Sequence, residues 1–187
     1  MAQDEQVFGK SEEVFPEIAR LAPTIIVGLG NPILGDDGIG WVVARKTAEA
    51  LSDRTDMPPA DVECLSLGGL SLMEHLIGYD RAILIDAVNL EKAPNGTLFS
   101  FPLRSLPETA GNHLSSTHDT SLQTALKIGE SMGARLPREI QVIGIQAENV
   151  YDFSDQLTGP VAAALPGAVE LVLNILVQGE TSISPEE

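Results

Sequence analysis

From Thr24 to Val177 short apolar runs alternate with longer amphipathic stretches, and this alternation narrows the fold more than any other feature of the chain. Runs of that kind build strand and helix units, which assemble into a mostly parallel sheet covered on both faces. A first strand is expected over residues 24–29, followed by a helix over 37–51. A second strand is expected over 61–67 and a short helix over 70–77. Ala82-Ile83-Leu84-Ile85, ending at Asp86, suits a central strand spanning 81–88. After the turn signal Pro94-Asn95-Gly96, residues 97–101 alternate small or polar with bulky side chains, as an edge strand does. A helix over 119–132, a strand over 139–146 and a long closing helix over 159–177, bent at Pro166, complete the set. The expected fold class is α/β: a single three-layer domain with a mostly parallel five-stranded sheet flanked by helices and one antiparallel edge strand.

With 187 residues the chain is of one-domain length. Residues 1–22, with a short helix over 11–21 interrupted by Pro16, read as an appended segment. Residues 23–179 form the domain and 180–187 a disordered tail. Hydrophobic residues make up 43% but aromatics only 4%, so the core must be aliphatic. The net charge of -16 argues against nucleic acid or anionic lipid as partner, and serves solubility before any steering role. Cys64 is the single cysteine, which excludes an internal disulfide and a multi-cysteine metal cage; within Val62-Glu63-Cys64-Leu65 it reads as a buried, inert thiol. The acidic start Met1-Ala2-Gln3-Asp4-Glu5 lacks the basic flank and apolar run of a secretory signal. No apolar segment free of charges and turn residues is expected to span a bilayer, which places the protein in the cytoplasm. A monomer is favoured.

Chemistry concentrates in Gly28-Leu29-Gly30-Asn31-Pro32-Ile33-Leu34-Gly35-Asp36-Asp37-Gly38-Ile39-Gly40, directly after the first strand. Dinucleotide binding needs a third glycine or alanine where Ile33 stands, and Asp36 and Asp37 would set negative charge where a pyrophosphate belongs. Val27-Gly28-Leu29-Gly30-Asn31-Pro32 also resembles the opening of peptidyl-tRNA hydrolases, but the histidine-bearing Thr-Arg-His-Asn segment of that family does not follow.

Three side chains from separate elements are candidates for a site. Asp36 fits the role of helix cap, which leaves Asp37 free to face a cleft. Asp86 follows four apolar residues, so its carboxylate either reaches solvent as the start of a turn or meets a cation. If the first and third strands are neighbours, Asp37 and Asp86 open onto one crevice at the carboxyl ends of the strands. His118 lies in Ser115-Ser116-Thr117-His118-Asp119, where Ser116 can cap the next helix with Asp119 as its box partner, so a plain surface histidine is the competing reading. An imidazole with two carboxylates is a donor set acceptable to nickel or zinc. His113 is a reserve ligand on a loop, and His75, beside Glu74, reads as a surface residue.

The segment Gly-x-Gly-Asn, a short apolar stretch, Asp-Asp and Gly-x-Gly resembles the start of the hydrogenase maturation endopeptidases. The likeness runs from about Thr24 to Val177 through three motifs in the family's order. It implies that Asp37, Asp86 and His118 are metal ligands at the catalytic site. It further implies that the chain removes a C-terminal extension from the large-subunit precursor of a nickel-iron hydrogenase, with nickel supplied by or shared with the precursor and no organic cofactor. A carboxylate acting as general base on water is an alternative chemistry. A noncatalytic metal-binding assembly factor, or a related peptidase with another precursor, are the alternative functions. The chain departs from the family after the second strand, where Leu67-Gly68-Gly69-Leu70 replaces Asp-Gly-Gly-Thr.

Overall fold

The computed structural model describes residues 23–90, 93–105, 121–148, 150–151 and 153–179. Five strands, β1 (Thr24–Leu29), β2 (Ala60–Leu65), β3 (Arg81–Val88), β4 (Leu98–Pro102) and β5 (Glu139–Gln146), form one sheet in the order β2-β1-β3-β5-β4. The first four in that order run parallel, and β4 pairs antiparallel with β5 at the edge. Four helices flank the sheet: α1 (Ile39–Ser52), α2 (Gly69–His75), α3 (Leu122–Ser131) and α4 (Gly159–Gln178). The α/β expectation with its antiparallel edge strand therefore holds.

The period-two alternation of β1 and β3 divides the core between the faces. Ile25, Val27, Leu29, Ala82 and Leu84 pack with Leu72, Met73 and Ala125 of α2 and α3. Ile26, Ile83 and Ile85 pack with Ile39 and Val43 of α1 and with Val161, Ala168, Val172 and Leu176 of α4. Because the chain passes from β1 outward to β2 and then back to β3 on the other side, the strand order reverses at β1. A crevice at the carboxyl ends of β1 and β3 follows from this reversal.

Several local expectations are corrected. A 3-10 turn over Gly35–Gly38 precedes α1, and neither it nor α1 has a side-chain cap, so Asp36 is not the helix cap. Helix α3 starts at Leu122 because the Ser121 hydroxyl accepts from the Thr124 amide, which displaces Ser116 from the capping role. Cys64 is half-buried rather than buried, with its Sγ 3.7 Å from the Trp41 carbonyl oxygen, and burial pushes its thiol pKa up. At 20 residues, with a mean hydropathy of 1.8 over its most apolar stretch, α4 has the length and composition of a membrane span, but it carries Glu170 and lies along the sheet beside α1 with four side chains in the core. It continues through Pro166 as one helix. The expected helix over 11–21 and the tail over 180–187 lie outside the described residues.

Candidate active site

Pairing between β1 and β3 stops at Gly28 and Ile85, while β3 continues beside β5 through Asp86↔Gly144 to Val88↔Gln146. Asp86 thus sits two residues inside the end of β3, where β1 has turned away into the glycine loop. That turn depends on Gly30, whose φ of +115° suits glycine and where a side chain would collide with the Asp37 carbonyl oxygen. Gly40 lets α1 approach so closely that an added Cβ would overlap the Leu29 and Ile85 carbonyl oxygens. The two glycines hold the Asp37 loop against the ends of both strands.

The adjacent carboxylates of the loop have separate tasks. Asp36 is fully buried; Oδ1 accepts from the Thr158 amide at 2.7 Å and Oδ2 from the Thr158 hydroxyl at 2.8 Å. Thr158 precedes the first residue of α4, so this carboxylate satisfies a free amide and sits at the positive end of the helix dipole. Asp37 is partly exposed, and its Oδ2 accepts from the Asn31 amide at 2.6 Å. Burial raises its pKa and that amide opposes the rise.

Asp86 is 2% exposed, and its Oδ2 has no hydrogen-bond partner among the described residues. Burial first, and the charge of Asp37 second, push its carboxyl well above the usual range, against a smaller opposing effect of the Ala87 amide. No ion pair to Asp37 or Asp86 occurs among the described residues. A buried carboxylate beside a second carboxylate, with an oxygen left over, fits a position that takes up a proton or a cation.

The structure therefore brings Asp37 and Asp86 together. His118 and His113 lie outside the described residues, and no group of three metal-ligating side chains forms among those described. His75 is exposed and its Nδ1 lies 3.1 Å from Glu63 Oε2 on β2, away from the carboxylate pair's loop and strand. Sequence reasoning missed the Asp36–Thr158 clamp. Thr158-Gly159-Pro160 has the composition of a helix start, which signals α4 but not its partner across the fold.

Fold and site together define an α/β protein whose switch-point crevice holds a paired, uncompensated carboxylate centre. The family model described as hydrogenase maturation protease matches residues 46–175, a span that includes Asp86 and begins after Asp37. The hydrogenase expression/formation protein HoxM of Azotobacter vinelandii is 34% identical over 160 residues, covering 84% of this chain and 74% of its own. The hydrogenase expression/formation protein HupD of Rhizobium leguminosarum bv. viciae is 31% identical over 158 residues, covering 83% and 75%. Among solved structures, the hydrogenase maturating endopeptidase HybD from E. coli superposes with a TM-score of 0.66 at 25% identity, over 83% of this chain and 93% of that one. The [NiFe] hydrogenase maturation protease HybD from Thermococcus kodakarensis gives 0.60 at 26% identity, over 82% and 98%. This chain belongs to the hydrogenase maturation protease family and is a peptide-bond hydrolase.

Proposed function

We propose that this chain acts in the cytoplasm as the endopeptidase that removes the C-terminal extension of a nickel-iron hydrogenase large-subunit precursor, and that it recognises the precursor through its bound nickel. The observation that carries the reading is the partnerless buried oxygen of Asp86 beside Asp37, a pair whose charge calls for a cation that no described side chain supplies. In this reading Asp37, Asp86 and His118 approach the nickel as ligands and align the scissile peptide, so metal insertion licenses the cut. Three ligands leave open positions on the ion for the precursor's own groups.

Two placements support His118 as the third ligand. By alternation along β3, Asp86 turns to the face of Ala82 and Leu84, which α2 and α3 cover. The segment carrying His118 joins Ser121, the cap of α3 on that same face.

The test is the intact mass of purified precursor, nickel-loaded or nickel-free, after incubation with this protein. Shortening of the loaded form alone is expected. Equal cutting of both forms removes nickel recognition, and a stable complex without shortening of either removes the proteolytic reading. Asp86→Asn, which keeps the shape and removes the charge, is expected to abolish processing in a folded protein.

A further inference from the structure

Beside the carboxylate pair, the rim of the sheet presents large apolar side chains to solvent: Ile33 is 57% exposed, Tyr151 82% and Phe153 85%. The segments carrying Ile33 and Phe153 are tied together. Leu34 and Ser154 form a parallel bridge, the Ser154 amide donating to the Ile33 carbonyl at 3.1 Å and the Gly35 amide to the Ser154 carbonyl at 2.8 Å. One residue back in that register, Ile33 and Phe153 are neighbours across the bridge. The Asp36–Thr158 clamp fastens the same two segments a second time. Exposed apolar side chains held on a fixed frame mark a surface made for contact.

The charges carried by these two segments point to the kind of partner. Residues 30–40 and 147–158 contain no Lys or Arg, whereas Glu148 and Asp155 are exposed. Two copies of such an acidic rim repel each other, while an apolar face flanked by basic side chains is complementary. The spot is also continuous with the crevice, since Ile33 lies four residues before Asp37 on the same loop.

We infer that Ile33 and Phe153, with Tyr151 upstream, form the docking spot on which the hydrogenase precursor seats an apolar, basic-flanked face, bringing its cleavage region to the Asp37–Asp86 crevice. This inference rests on the proposed peptidase function. The test uses the full chain and nickel-loaded precursor, comparing wild type, Phe153→Ser and Ile33→Ser/Phe153→Ser. Met132→Ser, at a 79% exposed apolar residue at the end of α3, is the control. KM and kcat are read in the wild-type background, and Kd for uncut precursor is read as a ratio between variants that all carry Asp86→Asn.

The double variant should keep the wild-type melting temperature, raise KM and Kd by at least about tenfold and change kcat by less than about twofold, with the single variant in between and the control unchanged. A double variant with unchanged KM and Kd, alongside a wild type that cuts the precursor, overturns the docking spot and leaves the peptidase reading standing. A wild type that neither binds nor shortens the precursor overturns both. A wild-type dimer that becomes monomeric in the double variant, with precursor affinity unchanged, assigns the spot to self-association and overturns the inference.

Discussion

Thr158 grips Asp36 across 122 positions of sequence, donating its amide at 2.7 Å and its hydroxyl at 2.8 Å to the two oxygens of one buried carboxylate. The contact joins Thr158, the residue before α4, to the loop that carries Asp37, so the start of α4 helps set the position of a site to which α4 contributes no ligand. Both carboxylates are buried, but both oxygens of Asp36 accept hydrogen bonds whereas Asp86 Oδ2 has no partner among the described residues.

Asp36→Ala leaves the Thr158 amide and hydroxyl without their acceptor and loosens the loop. A loss of about 2–3 kcal/mol in urea unfolding is expected, together with reduced processing through displaced Asp37. Thr158→Val keeps the amide bond and removes only the hydroxyl, so about 1 kcal/mol should be lost. Equal losses in the two variants would mean that the amide bond contributes nothing.

Gly40→Ala tests the close approach of α1 to the sheet. The added Cβ would meet the carbonyl oxygens of Leu29 and Ile85, both backbone atoms of central strands, so neither neighbour can rotate away. Destabilisation by about 3 kcal/mol or more, or loss of the folded protein, is expected in thermal melts. Gly133→Ala meets nothing within 4 Å, but its φ of +82° is strained for alanine, so only about 1 kcal/mol should be lost there. Similar costs at the two sites would show that α1 can move back.

Asp86 makes the stability of the metal-free protein fall as pH rises. Unfolded, its carboxyl titrates near the usual 3.8; folded, burial and then Asp37 hold it well above that. The native chain therefore keeps a proton that the unfolded chain has released. Its stabilising effect is complete below the unfolded value and is lost as pH climbs through the folded one. Asp86→Asn removes this dependence. The variant should exceed wild type at pH 7, where ionisation favours the unfolded wild-type chain, and the gap should close below about pH 4, where the unfolded carboxyl is protonated as well. A pH-independent difference between them in urea titrations would place the effect elsewhere than in ionisation.

The strands were most legible where apolar pattern alone decides them. β1, β3 and β5 span the expected residues, since β1 and β3 are buried throughout and β5 is buried from Val142 to Gln146, so burial on both faces constrains their positions. β2 stops at Leu65, two residues early, since Ser66 leaves the strand to donate its hydroxyl to the Gly30 carbonyl at 2.7 Å. The start of α3 was misplaced because the segment before it holds several residues able to cap, and only the fold selects Ser121. Asp86 was readable as a carboxylate in the wrong company, after four aliphatic residues. Asp36 was not, because an acid before a helix has an ordinary local explanation and its true partner is remote in sequence.

The carboxylate pair should bind a divalent cation in the free protein. Ligand binding to the folded state alone stabilises it by about 2.7 kcal/mol at a free concentration one hundred times Kd. Nickel(II) should accordingly raise the melting temperature of wild type, and a chelator should reverse the rise. Asp37→Asn and Asp86→Asn should each abolish it, because either change leaves a single carboxylate facing the ion. His118→Ala should weaken nickel binding by at least about tenfold, as loss of one of three ligands does. His75→Ala is the control, since its ring faces Glu63 with Nδ1 and Oε2 3.1 Å apart. A nickel response that survives in Asp86→Asn, or that depends on His75 and not on His118, would mean that the ion binds elsewhere and that the buried pair holds a proton instead.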